Sequence, residues 1–116
     1  MAQAPYALDE TRRSVTLRAI RDVCIKQAWT LLAAHVRTNH VHVVVEAEAP
    51  AEWVMSTLKR GASRELNELG IDGQEERRRW ARHGSTRYIW TKEQLAAAIR
   101  YTVGGQGEVM SVYEAP

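Results

Sequence analysis

The chain has 116 residues, 45% of them hydrophobic, and its 16 basic and 14 acidic side chains leave a formal net charge of +2. That reads as one domain over residues 1–116, and with seven Gly and three Pro it is neither a disordered nor a collagen-like chain. No apolar run approaches the roughly 20 residues of a membrane span. The opening MAQAPYALDE lacks the layout of an export signal and Cys24 stands alone, which together point to a cytoplasmic protein with no membrane partner.

In chain order, Asp9 is placed to cap a first helix that runs to about Trp29, with Leu17, Ile20, Val23 and Cys24 on its apolar face. TLLAAHV and HVHVVVEAE, separated by the polar Arg37-Thr38-Asn39, predict an antiparallel hairpin. Pro50 opens a second helix that stops at Gly70, striped by Met55, Leu58, Ala62, Leu66 and Leu69. IDGQEERRR reads as a polar loop, and WARHGSTRYIW as a strand bent at His83-Gly84-Ser85. Thr91 and Gln94 form a capping box for a last helix that ends at Gly104-Gly105. The order α-β-β-α-β-α predicts an α+β sandwich, an antiparallel sheet with helices on one face.

The modest net charge hides a segregated distribution. Thirteen of the 16 cations are Arg, and from Arg77 to Lys92 six cations and His83 occur without an acid. Arg presents a planar fork suited to phosphate, so Arg77, Arg78, Arg79, Arg82 and Arg87 are candidate phosphate contacts. Trp80, Tyr88 and Trp90 in the same stretch are either stacking faces or ordinary core.

In the run NHVHVVV, alternation along a strand puts His40 and His42 side by side, about 6–7 Å apart at Cα, while Val41, Val43 and Val45 face a core. The two imidazoles are either a divalent-ion grip or polar residues on a wet strand face. Tyr101 falls well off the apolar stripe of the last helix, Leu95, Ile99, Thr102 and Val103, and is either a surface residue or an exposed nucleophile.

His40-Val41-His42 followed by a helical Tyr101 resembles the HUH single-tyrosine transposases, including the REP-associated tyrosine transposases. The likeness covers nearly the whole chain and extends to ALDETRRSVTLRAIRDVC, LKRGASRELNE and WARHGSTRYIWTKEQLAAAIRYTVGGQGE. The resemblance implies a ferredoxin-like fold, a homodimer, and metal-dependent cleavage and strand transfer on single-stranded or hairpin DNA. In that reading His40 and His42 hold Mg²⁺ or Mn²⁺, and Tyr101 attacks to leave a 5′-phosphotyrosine link. The alternative from the same ancestry is a non-catalytic DNA-binding remnant, and a small metal or ligand binder unrelated to DNA is a third reading.

Two departures from the family pattern stand out. Its third metal ligand is usually Gln or Asn one turn after the Tyr, where this chain has Gly105; Gln106 and His35 are the candidates to replace it. His35 faces the pair only if the hairpin register opposes it to His42. The family fold also opens with a strand before the first helix, next to the HUH strand. Here PYAL precedes Asp9, so that strand is expected to be missing or supplied by a partner chain.

Overall fold

A computed structural model describes residues 6–73, 79–80 and 84–116. The elements are α1 (Glu10–Gln27), β1 (Thr30–Val36), β2 (Val41–Glu46), α2 (Ala51–Leu69), α3 (Lys92–Gly104) and β3 (Ser111–Glu114). The three strands form one antiparallel sheet in the order β2-β1-β3. The protein is thus an α+β fold whose helices pack on an antiparallel sheet, compatible with a ferredoxin-like arrangement. No described helix is long and apolar enough to cross a membrane.

Local chemistry sets most boundaries. Asp9 caps α1 by accepting from the Arg12 amide at 2.9 Å. The helix stops where Ala28 turns left-handed at φ 60°, freeing the Trp29 amide to bond back to the Cys24 carbonyl. Helix α2 ends at Gly70 (φ 77°), and α3 begins on the capping box of Thr91 and Gln94. Between β1 and β2 a two-residue turn is closed by the Arg37 amide on the His40 carbonyl.

Strand alternation divides the sheet into two faces. Ala34 and Val36 face α1 and α2, in one cluster with Val15, Ile20, Leu58 and Leu66, and Val41, Val43 and Val45 pack against that cluster. Helices α1 and α2 meet closely: a Cβ on Gly61 would collide with Val23 Cγ2. Helix α3 lies across the opposite face, where His35 bonds to the Thr102 carbonyl. The helices therefore cover both faces of the sheet, not one.

The chain order is α-β-β-α-α-β, which corrects the predicted third strand. Residues 84–90 form no strand, and the third strand is Ser111–Glu114, paired with β1. A strand needs a neighbour for its backbone groups. An open cleft separates residues 85–91 from β2, whereas Ser111–Glu114 reaches the other edge of β1. Before α1, residues 6–9 contain no strand. They are tied down by the Leu8 amide on the Thr38 carbonyl and by the Tyr6 hydroxyl on Asp72.

Candidate functional site

The register pairs His35 with His42, so both project to the α3 face. His40 lies two residues before His42 on the same face, and the two rings are nearly parallel, interplanar angle 8°, with centroids 6.4 Å apart. His40 Nδ1 is 2.9 Å from Asn39 Oδ1, a contact that orients its ring. Helix α3 brings Tyr101 edge-on to His42, centroids 6.0 Å apart at 90°. The Tyr101 side is open to solvent, 55% exposed, while its neighbour Thr102 is buried against β1. The structure thus joins three of the sequence-selected residues, from a strand and a helix 59 residues further on, measured from His42 to Tyr101.

Gln106 joins them by a route that spacing alone does not show. It lies past the end of α3, in a loop that β1 staples down. His35 Nδ1 donates to the Thr102 carbonyl at 3.0 Å and its Nε2 accepts from the Met110 amide at 2.9 Å. Arg37 adds a bond to the Glu108 carbonyl at 2.6 Å. Between these staples the chain turns at Gly107 (φ 90°), and Gln106 Nε2 donates to the Thr102 carbonyl at 3.1 Å. Its side chain reaches the His42 ring.

The same bonds remove His35 from the candidate ligands. It is fully buried, and one ring nitrogen must donate while the other accepts, which fixes the tautomer with hydrogen on Nδ1. His35 and Arg37 are positioning residues for the loop, and their role follows only from the register and the fold.

Gly105 lies tight against Tyr101. A Cβ there would come within 2.9 Å of Tyr101 Cα and Cδ1. A side chain at this position would press on both the backbone and the ring of Tyr101.

Burial lowers the pKa of His42, and the nearby His40, His35 and Arg37 lower it further, while contact with Gln106 works the other way. The ring is held in its uncharged form near neutral pH, which is what metal ligation requires. His42 Nδ1 is also buried without a hydrogen-bond partner, so the protein leaves a ring nitrogen uncommitted. Among the described residues no three His, Cys, Asp or Glu side chains gather as a metal site. The available donors are two imidazoles and the amide of Gln106, a set able to take a divalent ion and leave positions for phosphate oxygens and water. An ion shared by His40 and His42 requires their ring edges to turn toward each other from the parallel arrangement.

Of the arginines, Arg77, Arg78 and Arg82 lie outside the described residues. Arg87 is exposed on the segment that faces β2. Arg79 is not available for phosphate: its side chain is 3% exposed and is held by Asp72 at 2.9 Å and by Asn67 at 2.8 Å. Asp72 also takes Arg12 at 2.9 Å and the Tyr6 hydroxyl at 2.6 Å, closing a latch between the N-terminal residues and the end of α2. Burial alone would raise the Asp72 pKa, but the bonds from Tyr6, Arg79 and Arg12 outweigh it and hold the carboxyl below its usual value. Of the aromatics, Trp80 is half-buried and bonds to Ser63 Oγ at 2.8 Å, while Tyr88 and Trp90 are exposed and stacked 5.9 Å apart. Comparison with family models, with curated proteins and with solved structures finds no match.

Proposed function

We propose that this protein cleaves and rejoins single-stranded DNA with Tyr101 as nucleophile and a divalent ion, Mg²⁺ or Mn²⁺, held by His40, His42 and Gln106. The observation that carries the reading is the convergence of an exposed tyrosine, two parallel imidazoles and an amide on one face of the sheet. The phenol is at the surface, with the half-buried His42 ring beside it and His40 exposed.

When bound, the ion polarises the scissile phosphate and offsets the charge that develops on its oxygens. The chain supplies the rest. His42, kept uncharged by burial, offers a lone pair rather than a cation. Asn39 orients His40, and the staple of His35 and Arg37 keeps Gln106 against His42. Tyr101 Oη attacks phosphorus in line, the Oη–P bond forms and the P–O3′ bond breaks. The phenolic proton passes to solvent and the leaving oxygen takes one up, giving a 5′-phosphotyrosine link and a free 3′-hydroxyl. Attack by another 3′-hydroxyl reverses the step and joins a strand without ATP. Arg87, exposed on the segment that faces β2, is suited to a contact with the DNA backbone.

The test incubates the protein and labelled single-stranded hairpin DNA with Mn²⁺ or Mg²⁺ and resolves the products on a denaturing gel. The reading expects a slow-migrating covalent adduct that requires metal and disappears in Tyr101→Phe. Salt-sensitive DNA binding without an adduct identifies the non-catalytic remnant instead. Absence of DNA binding at low salt rejects both.

A further inference from the structure

Arg37 completes a square of side chains on the α3 face of the hairpin. The register sets His35 opposite His42 and Val36 opposite Val41, and the Arg37 amide bonds to the His40 carbonyl at 2.8 Å. Alternation therefore places Arg37 on the face of His35, directly across from His40. Opposed residues of an antiparallel pair stand about 4.5–5.5 Å apart at Cβ, so the Arg37 side chain starts beside the histidine site. It then runs along the loop that carries Gln106. Nη1 donates to the Glu108 carbonyl at 2.6 Å, and a Cβ on Gly107 would stand 3.8 Å from Nη2. The His42 ring feels this cation: burial lowers its pKa first, and Arg37 lowers it further together with His40 and His35.

The use of Nη1 decides what the guanidinium has left to offer. Its Nε–H and Nη2–H point to one side and together grip a carboxylate or a phosphate. Arg12 and Arg79 both turn this edge to Asp72. Nε and Nη2 of Arg12 reach Oδ1 at 3.0 and 2.9 Å, and those of Arg79 reach Oδ2 at 3.3 and 2.9 Å. Arg37 is half-buried like them but is held through Nη1 instead. Among the described residues its Nε and Nη2 have no acceptor, and no carboxylate pairs with it. His40, His42 and Gln106 beside it carry no negative charge. The chemical complement of that edge is an anion with oxygens to bridge two N–H groups, and a phosphate has them.

On the premise that the site cleaves single-stranded DNA, we propose that the Nε–Nη2 edge of Arg37 is a phosphate subsite of that centre, gripping a phosphate of the bound strand beside His40 while Nη1 keeps the loop in place. Arg37 then binds substrate directly as well as fastening the loop, and its grip requires no metal.

The probe is a short oligothymidylate added in EDTA, so that no strand is cut. The Arg37 Nε–H signal is followed by NMR, and affinity is measured by fluorescence anisotropy across a salt series. Oligothymidylate is expected to shift the Arg37 signal saturably and to leave that of Arg79, committed to Asp72, in place. Arg37→Met is expected to lower the slope of log affinity against log salt by about 0.7, one single-strand phosphate contact. Arg37→Lys keeps the charge but not the two-armed edge, and is expected to keep that slope and bind several-fold more weakly. A residue that only fastens the loop would lose Glu108 in both variants and leave the slope unchanged in both. Oligothymidylate that binds while neither the Arg37 signal nor the slope responds overturns the subsite and leaves the nuclease reading standing. A response of both, in a chain that forms no adduct with Mn²⁺ or Mg²⁺, keeps the subsite and rejects cleavage in favour of the non-catalytic remnant. Saturation of the signal by inorganic phosphate at the same concentration assigns the edge to free phosphate and overturns the proposal. No oligothymidylate binding at low salt rejects both.

Discussion

Two arginines of the same acid-free stretch, Arg79 and Arg87, are expected to behave in opposite ways when replaced by alanine. Arg79→Ala removes one of the two cations on Asp72, two of whose partners remain, Arg12 and Tyr6. The side chains of Arg79 and Asp72 are 3% and 7% exposed, so the lost pair is a buried one. Breaking a buried pair costs about 3–5 kcal/mol, and the retained Arg12 contact places this case near about 3 kcal/mol. At roughly 2.1 cal/mol/K of unfolding entropy per residue, a chain of this size loses about 12 °C in Tm for that amount. Differential scanning calorimetry at pH 7 measures it directly. Arg87→Ala is expected to leave Tm unchanged and to lower the salt slope of single-stranded DNA binding by about 0.7, one phosphate contact. The linkage has a definite sign. The Asp72 carboxyl has its pKa below the ordinary value in the folded state, so its contribution is present above pH of about 4 and is lost as pH falls through the folded pKa. In Arg79→Ala the acid-induced loss of stability must therefore be shallower. A Tm within 2 °C of the parent, by order of magnitude of calorimetric scatter about half of one kcal/mol, together with a reduced salt slope, would refute the assignment of Arg79 to the fold.

Further outcomes follow from single contacts. His35→Leu leaves the Met110 amide without its partner and the Thr102 carbonyl with Gln106 alone, and is expected to destabilise by about 1–3 kcal/mol in urea unfolding, with α3 and β3 exchanging fastest. Gly105→Ala presses a methyl on the Tyr101 backbone as well as its ring, and is expected to lower Tm in calorimetry and to reduce adduct formation on the gel that detects the adduct. Ala28→Gly relieves a left-handed residue and is expected to add about 0.5–1 kcal/mol of stability. The depressed His42 pKa means the folded state binds its proton less readily than the unfolded chain. Its contribution is complete above pH of about 6.5 and declines as pH falls. Mn²⁺ binding, followed by paramagnetic broadening of the His40 and His42 resonances, is expected to weaken over the same range.

Much of this architecture was legible because it is local. The Asp9 cap, the Thr91–Gln94 box, the alternation of β2 and the α2 stripe at Leu58, Ala62 and Leu66 are decided within a few residues, and the structure contains each of them, whereas Leu69 at the end of that stripe is exposed. The features that escaped depend on partners distant in the chain. WARHGSTRYIW has the composition of a strand, but residues 84–90 find no ladder; SVYE is short and unremarkable in composition, yet it lies beside β1. Charge counting could not distinguish Arg79 from Arg87, because a guanidinium locked on Asp72 and one facing solvent are the same letter. The candidate site divides in the same way. His40, His42 and Tyr101 are visible as faces of their own elements, whereas Gln106 acquires its place from the register of a hairpin 60 residues earlier. A one-residue slip in that hairpin turns His35 away from α3, releases the Met110 amide and the Thr102 carbonyl, and unfastens the loop that carries Gln106. The register of β1 on β2 therefore does two jobs: it sets the histidine face and, through His35, it fixes the loop that carries Gln106.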